Sequence, residues 1–184
     1  KIREVLASAD RITVLRHGAV VSTGTSDGVE GDDLVSLMMG IDSEEISPRA
    51  RIQDNIEYDS KKLAYQRTAR SEGAMAAIEF KDVWTSEGND PRGLNGISFS
   101  VLPGQMLGVA GISGNGQQEL GETLLGMVGY SSGNIFLSGQ DVKGWSVADV
   151  LNAGVSYVTE DPIVMATVPD MRVDENLVLG ELDT

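Results

Sequence analysis

The stretch "GVAGISGNGQQEL", Gly108 to Leu120, decides how the chain is read. A strand-like apolar run enters a cluster of glycines, and a helical pattern leaves it. Loops of this kind wrap a phosphate in successive backbone N–H groups at the positive end of a helix. Glycine is needed there because a Cβ would block either the backbone conformation or the approach of the ligand. Gly111 and Gly116 keep the four-residue separation of a P-loop, with Gly114 between them. The pattern then departs. Gln117 stands where a lysine would meet the β- and γ-phosphates, and Gln118 where a hydroxyl would hold Mg²⁺. Taken alone, the loop admits three readings: a phosphate cradle, a plain strand–helix turn, or a dinucleotide site. The glycine order, G-x-x-G-x-G, fits the last poorly. Its ribose-binding acid would have to be Asp141, which lies in a "GQD" turn.

Working outward, the helix after the loop places Leu120, Leu124 and Leu125 on one face. "SSGNIFLSGQDV" reads as a strand with turn residues at both ends. "SVADVLNAG" reads as a helix capped by Ser146 and stopped by Gly154, and "VSYVTED" as a further strand. Upstream, "AIEFKDVW" and "GISFSV" alternate with period two, bridged by "TSEGNDPRGLN", and "LPGQ" is a turn. Near the start, "IREVLASA" is a short amphipathic helix. "RITVL" and "AVVST" form a hairpin through His17-Gly18, which makes His17 a turn residue rather than a catalytic switch. Asp32 or Asp33 is expected to cap a helix over "LVSLMM" that ends at Gly40. Residues 41–77 are rich in charge and poor in apolar period, as a linker is. The pattern as a whole predicts a mixed α/β fold with an antiparallel β portion.

Composition narrows the function. With 28 acidic and 14 basic side chains the formal charge is −14, which argues against non-specific nucleic-acid binding. A phosphate site survives this, since backbone amides supply local positive potential. The absence of cysteine excludes disulfides and thiolate metal sites, and fits a reducing cytoplasm. No apolar run approaches the ~20 residues that cross a bilayer. A start at Lys1, inside a helical pattern and without methionine, suggests a piece of a longer protein.

From Ile78 onward the sequence resembles the second nucleotide-binding domain of ABC importer ATPases for simple sugars and nucleosides, which carry two such domains in one chain. The segments that carry the resemblance are "IEFKDV", "LNGISFSVLPGQMLGVAGISGNGQQEL", "SGNIFLSGQDV", "GVSYVTED" and "VPDMRVDENLVL". Second domains of that family typically read G-x-x-G-N-G-Q at the P-loop, so Gln117 looks like a family trait. Residues 1–40 resemble the end of the first domain, with the switch histidine expected just before Lys1. The resemblance thus implies three parts: 1–40 from the first domain, 41–77 as linker, and 78–184 as the first half of the second.

The same resemblance implies a P-loop NTPase fold, ATP and Mg²⁺ as ligands, and Gly111, Ser113, Gly114, Asn115, Gly116, Gln117 and Gln118 as phosphate-cradling positions. Glu160 falls at the Q-loop position, which reaches toward metal and attacking water. The family usually continues E-D-R, whereas Pro162 stands here in place of arginine. Implied partners are transmembrane permease subunits and, indirectly, an extracytoplasmic solute-binding protein, at the cytoplasmic face of a membrane. The signature motif, the second Walker B carboxylates and the second switch histidine would lie beyond Thr184. This stretch is therefore expected to hydrolyse no ATP alone. The alternative is a P-loop module that binds nucleotide or partners without transport. Trp84 could stack on adenine, but its early position favours an edge-strand role.

Overall fold

The computed structural model describes residues 2–41, 74–85 and 93–179. The expected linker, apart from its ends, and the middle of the "TSEGNDPRGLN" turn lie outside these residues. Backbone packing separates two units, 1–153 and 154–184.

In the first unit, α1 (Ile2–Ser8) leads into β1 (Arg11–Arg16) and β2 (Ala19–Thr25). These two strands pair antiparallel, with Arg16 opposite Ala19. His17 and Gly18 turn the chain at φ 51° and 71°, the left-handed pair that a two-residue hairpin requires. Thr13 is buried, and its hydroxyl lies 3.0 Å from that of Thr23 across the ladder. Next comes α2 (Gly31–Met39). Its N-cap is Glu30 rather than Asp32 or Asp33. Both aspartates are already helical, and the Asp33 carboxylate instead accepts from the Glu30 N–H at 3.4 Å. Gly40 ends the helix in the left-handed conformation, as its lack of Cβ predicts.

The glycine loop follows β5 (Leu107–Ala110), which runs parallel to β1 with Thr13 opposite Val109. The sheet order β2-β1-β5 therefore places residues 2–41 and the glycine loop in one unit. Ala9, Ile12, Val14, Leu34 and Ala110 form the buried cluster beneath this sheet. A side chain at Gly108 would fall 2.7 Å from Val5, so α1 rests directly on β5.

A second sheet has the order β4-β3-β6-β7, all antiparallel, from β3 (Ile78–Trp84), β4 (Ile97–Val101), β6 (Ser132–Leu137) and β7 (Gln140–Asp141). Phe80 and Phe99 are register partners whose rings stack at 4.7 Å. Val83, Ile97 and Ile135 are fully buried beside them. The Trp84 indole N–H donates to Asp82 at 2.8 Å, and its ring lies against Gly96. Trp84 is thus held at the end of β3 by its own strand neighbours. The helix α3 (Gln117–Leu124) follows the glycine loop, and α4 (Val147–Asn152) follows β7. Ser146 caps α4 as expected.

The second unit holds α5 (Pro162–Met165) and α6 (Val173–Leu177). Asp161 caps α5 by accepting the Val164 N–H at 3.2 Å, and Pro162 occupies the first helical turn, where a missing N–H costs nothing. Asn176 ties the unit together. Its side chain accepts from the Val168 N–H and donates to the carbonyls of Val168, Met171 and Arg172. The strand expected at "VSYVTED" does not form. An isolated extended segment cannot satisfy its backbone groups without a neighbouring ladder, and the described part of this unit supplies only helices and turns.

Candidate functional site

The loop from Gly111 to Gly116 is curled, not extended. The Asn115 N–H closes back on the Ile112 carbonyl at 3.2 Å, and Gly114 and Gly116 adopt φ of 82° and 105°. Gly116 is the N-cap of α3, and it offers no side-chain cap to the first turn. The Leu120 N–H reaches the Gly116 carbonyl at 2.9 Å, starting the helical ladder. The free amide ends of α3 and the turns of the loop are the physical ingredients of an anion cradle.

Ile112, Ser113 and Gly114 are exposed, whereas Asn115 and Gly116 are buried. A Cβ on Gly114 would meet nothing within 4 Å, so space stands open above the loop. Gly111 is closely covered: a Cβ there would fall 2.5 Å from the Gln117 amide nitrogen and 3.0 Å from the Leu15 carbonyl. Gln117 folds back over the loop and donates to the Ile112 carbonyl at 3.3 Å. Its neutral amide therefore lies across the loop, without the formal charge of a lysine. Gln118 is engaged along the helix, donating to Glu122 at 2.7 Å. Glu119 adds a carboxylate to the first turn of α3.

The buried side of the loop is a contact that sequence reading missed. Asn115 is only 4% exposed. Its Oδ1 accepts the His17 N–H at 3.2 Å, and its Nδ2 donates to the Leu15 carbonyl at 3.4 Å. Its own carbonyl accepts the Gly18 N–H at 3.2 Å. On the far side of the hairpin tip, the Asn95 N–H donates to the Gly18 carbonyl at 2.7 Å, and the Asn95 side chain donates to the His17 carbonyl at 2.8 Å. The side chain of Asn115 thus serves the protein, while Ser113 and Gly114 face outward. His17 takes part through its backbone alone in these contacts.

Glu160 lies in the second unit, apart from the unit that holds the loop. Among the described residues no cluster of three or more histidine or acidic side chains could hold a metal ion. No described helix is long and apolar enough to cross a membrane.

A strand, a curled glycine loop and a helix with uncapped amides define the class: a P-loop type of ATPase domain, with one mixed and one antiparallel sheet. Residues 94–183 match the family model described as ABC transporter. The chain is 31% identical over 185 residues to the xylose import ATP-binding protein XylG of Photobacterium profundum, covering 99% of this chain and 33% of that one. It is 30% identical over 179 residues to the nucleoside import ATP-binding protein NupA of Lactococcus lactis (97% and 32%). It is 29% identical over 181 residues to the D-allose import ATP-binding protein AlsA of Escherichia coli (98% and 32%). Residues 94–183 thus carry the ABC transporter match, the relatives align along nearly the whole chain, and the chain spans about a third of the length of these curated relatives. No solved structure matches it.

Proposed function

We propose that this chain is part of the ATP-binding, energy-coupling component of an ABC importer for simple sugars or nucleosides. The curled loop ahead of the uncapped α3 carries the reading, and the import proteins to which the chain is similar support it. On this reading residues 1–40 close one nucleotide-binding domain, 41–77 link, and 78–184 open the next. The partners are transmembrane permease subunits and, through them, a solute-binding protein. The location is the cytoplasmic side of the membrane.

The open space above Gly114 and the amides at the start of α3 suit a polyphosphate. Gly111, Ser113, Gly114, Gly116, Gln117 and Gln118 would line it, with Asn115 holding the loop from behind. Mg²⁺ would arrive on the nucleotide and neutralise phosphate charge. Gln117 can hydrogen-bond a phosphate oxygen but contributes no formal charge. Charge-assisted hydrogen bonds contribute about 1.5–3 kcal/mol against about 1 for neutral ones. ATP binding at this loop is accordingly weak, and stabilisation of a phosphoryl-transfer transition state suffers more. Glu160 occupies the position that would reach the metal and attacking water in the assembled protein.

The test is calorimetric titration of the intact protein with Mg-ATP. Gln117→Lys should tighten binding by about 0.5–2 kcal/mol, or roughly two- to thirtyfold. Unchanged affinity would defeat the charge argument. Failure of both forms to bind nucleotide at this loop would defeat the site itself.

A further inference from the structure

The His17-Gly18 tip is gripped from both sides by asparagines, each followed by a glycine: Asn115-Gly116 in the loop and Asn95-Gly96 ahead of β4. A two-residue turn leaves backbone groups of its tip outside the hairpin's own ladder, and where buried these need partners. Asn115 takes both N–H groups. Its Oδ1 accepts from His17 at 3.2 Å, and its carbonyl accepts from Gly18 at 3.2 Å. Asn95 serves both carbonyls. Its Nδ2 donates to His17 at 2.8 Å, and its backbone N–H donates to Gly18 at 2.7 Å.

These bonds join through peptide groups. The His17 carbonyl and the Gly18 N–H belong to one peptide plane. The Asn115 carbonyl, which receives that N–H, shares its own plane with the Gly116 N–H. A continuous path thus runs from the Asn95 side chain, through the tip, to the N-cap residue of α3. Hydrogen bonds in series polarise one another, by about 10–30% per bond, so a donor at one end strengthens the donor at the other. Packing follows the same path. A Cβ on Gly116 would lie 3.3 Å from the Gly18 Cα and 3.5 Å from the side chain of Leu94, which is fully buried. Leu94 is anchored in turn to Thr85 at the end of β3, through bonds of 2.8 and 3.1 Å.

We propose that Asn95 is a positioning residue for the glycine loop, setting from behind the hairpin both the place and the donor strength of the Gly116 amide. Its two bonds to the tip end on residues 17 and 18, so it acts through Asn115 and Gly116 and not on a ligand. His17 holds φ 51°, which non-glycine residues adopt rarely, and such a conformation persists only while its surroundings fix it. Without the Asn95 donors the tip loses half of that fixing, and the loop loses its backing. The proposal rests on the reading of the loop as a polyphosphate cradle.

The test uses the intact protein labelled with ¹⁵N-glycine, and calorimetric titration with Mg-ATP. Asn95→Asp keeps the shape and removes the side-chain donor. Asn95→Ala is the second variant, used if a carboxylate facing the His17 carbonyl prevents folding. Without ligand, the Gly18 and Gly116 amide protons should move upfield while that of Gly133, in β6, stays in place. Mg-ATP binding should weaken roughly fivefold, as the loss of one ordinary hydrogen bond implies. Ile135→Val, in the core of the antiparallel sheet, is the control for a merely structural role: it should lower the melting temperature and leave both readouts unmoved. A Gly116 amide unmoved by the Asn95 variants would overturn the proposal. So would unchanged affinity in those variants when the wild type binds. A wild type that binds no nucleotide would instead bring down the reading of the loop, and this proposal with it.

Discussion

On its inner side the glycine loop meets protein: Asn115 is buried and bonded to Leu15 and His17, and its carbonyl receives the Gly18 N–H. On its outer side Ser113 and Gly114 are exposed, and nothing lies within 4 Å of where a Gly114 side chain would start. Two faces of six residues therefore obey opposite demands. The inner face spends its polar groups on fixing the loop against a hairpin about a hundred residues away in sequence. The outer face leaves its backbone bare, open to the ligand proposed for it. Rigidity on one side would let the other act as the preformed cradle proposed above. Substitutions on the two faces should separate accordingly.

The largest effect should come from Gly18→Ala. Gly18 sits at φ 71°, and a Cβ there would collide with the Gly93 carbonyl and approach the Asn95 side chain. Backbone cannot yield as a side-chain tip can. Left-handed strain alone costs about 1–3 kcal/mol, and the collision adds to it, so a loss of about 3 kcal/mol or more is expected in urea unfolding. A loss below about 1 kcal/mol would show that the hairpin tip is not clamped.

Asn115→Ala comes next. It removes one acceptor and one donor from a buried site and leaves the Leu15 carbonyl and His17 N–H short of a partner. About 2–3 kcal/mol of stability should go, since unpaired buried groups cost about 1–3 kcal/mol each and water recovers part of the loss. Nucleotide affinity should fall as well. If affinity falls while urea unfolding is unchanged, Asn115 touches the ligand and the inner face has been misread.

How much of this was legible in the sequence depends on range. The hairpin at His17-Gly18, the Ser146 cap, the Gly40 stop and the period-two strands were all readable, because each is set by neighbours within a few residues. The glycine spacing likewise marked the loop. The role of Asn115 was not readable, because its side-chain partners lie 98 and 100 positions away and polar residues in glycine turns are ordinary. The asparagine of an "NG" pair gives no sign of facing inward. "VSYVTED" shows the converse error. Its apolar pattern is strand-like, yet Val158 is 93% exposed and the segment has no ladder. Period alone records a preference, and a strand also needs a partner.

Gly114→Ala is the counterpart to Gly18→Ala on the open face. Both glycines have positive φ, but the Gly114 site has no neighbouring atom to collide with. Only the conformational cost remains, about 1 kcal/mol. The stability change should therefore be about a third of that at Gly18, while ATP affinity drops because the new methyl occupies ligand space. Equal destabilisation at the two glycines would erase the distinction between the faces.

The smallest effect compares helix starts. The first turn of α3 has no side-chain cap, whereas Ser146 and Asp149 close a reciprocal capping box on α4. The Asp149 carboxylate accepts from the Ser146 hydroxyl at 2.7 Å and from its backbone N–H at 2.8 Å. Those two bonds, the hydroxyl's first, hold its pKa below the ordinary aspartate value. A depressed pKa means the folded chain resists protonation. Whatever stability the box contributes is present above the ordinary value near 3.8 and is lost as the pH falls through the lower folded one. In a carbon-detected NMR titration, Ser146→Ala should move the Asp149 midpoint upward, with little change in stability at neutral pH because the carboxylate is fully exposed. Inorganic phosphate added to the wild type should shift the amides of Gly116 to Gln118 and leave those of Val147 to Asp149 in place. At the second helix start the Ser146 hydroxyl already takes the Asp149 N–H and the Asp149 carboxylate stands over the turn, whereas no side chain caps the first.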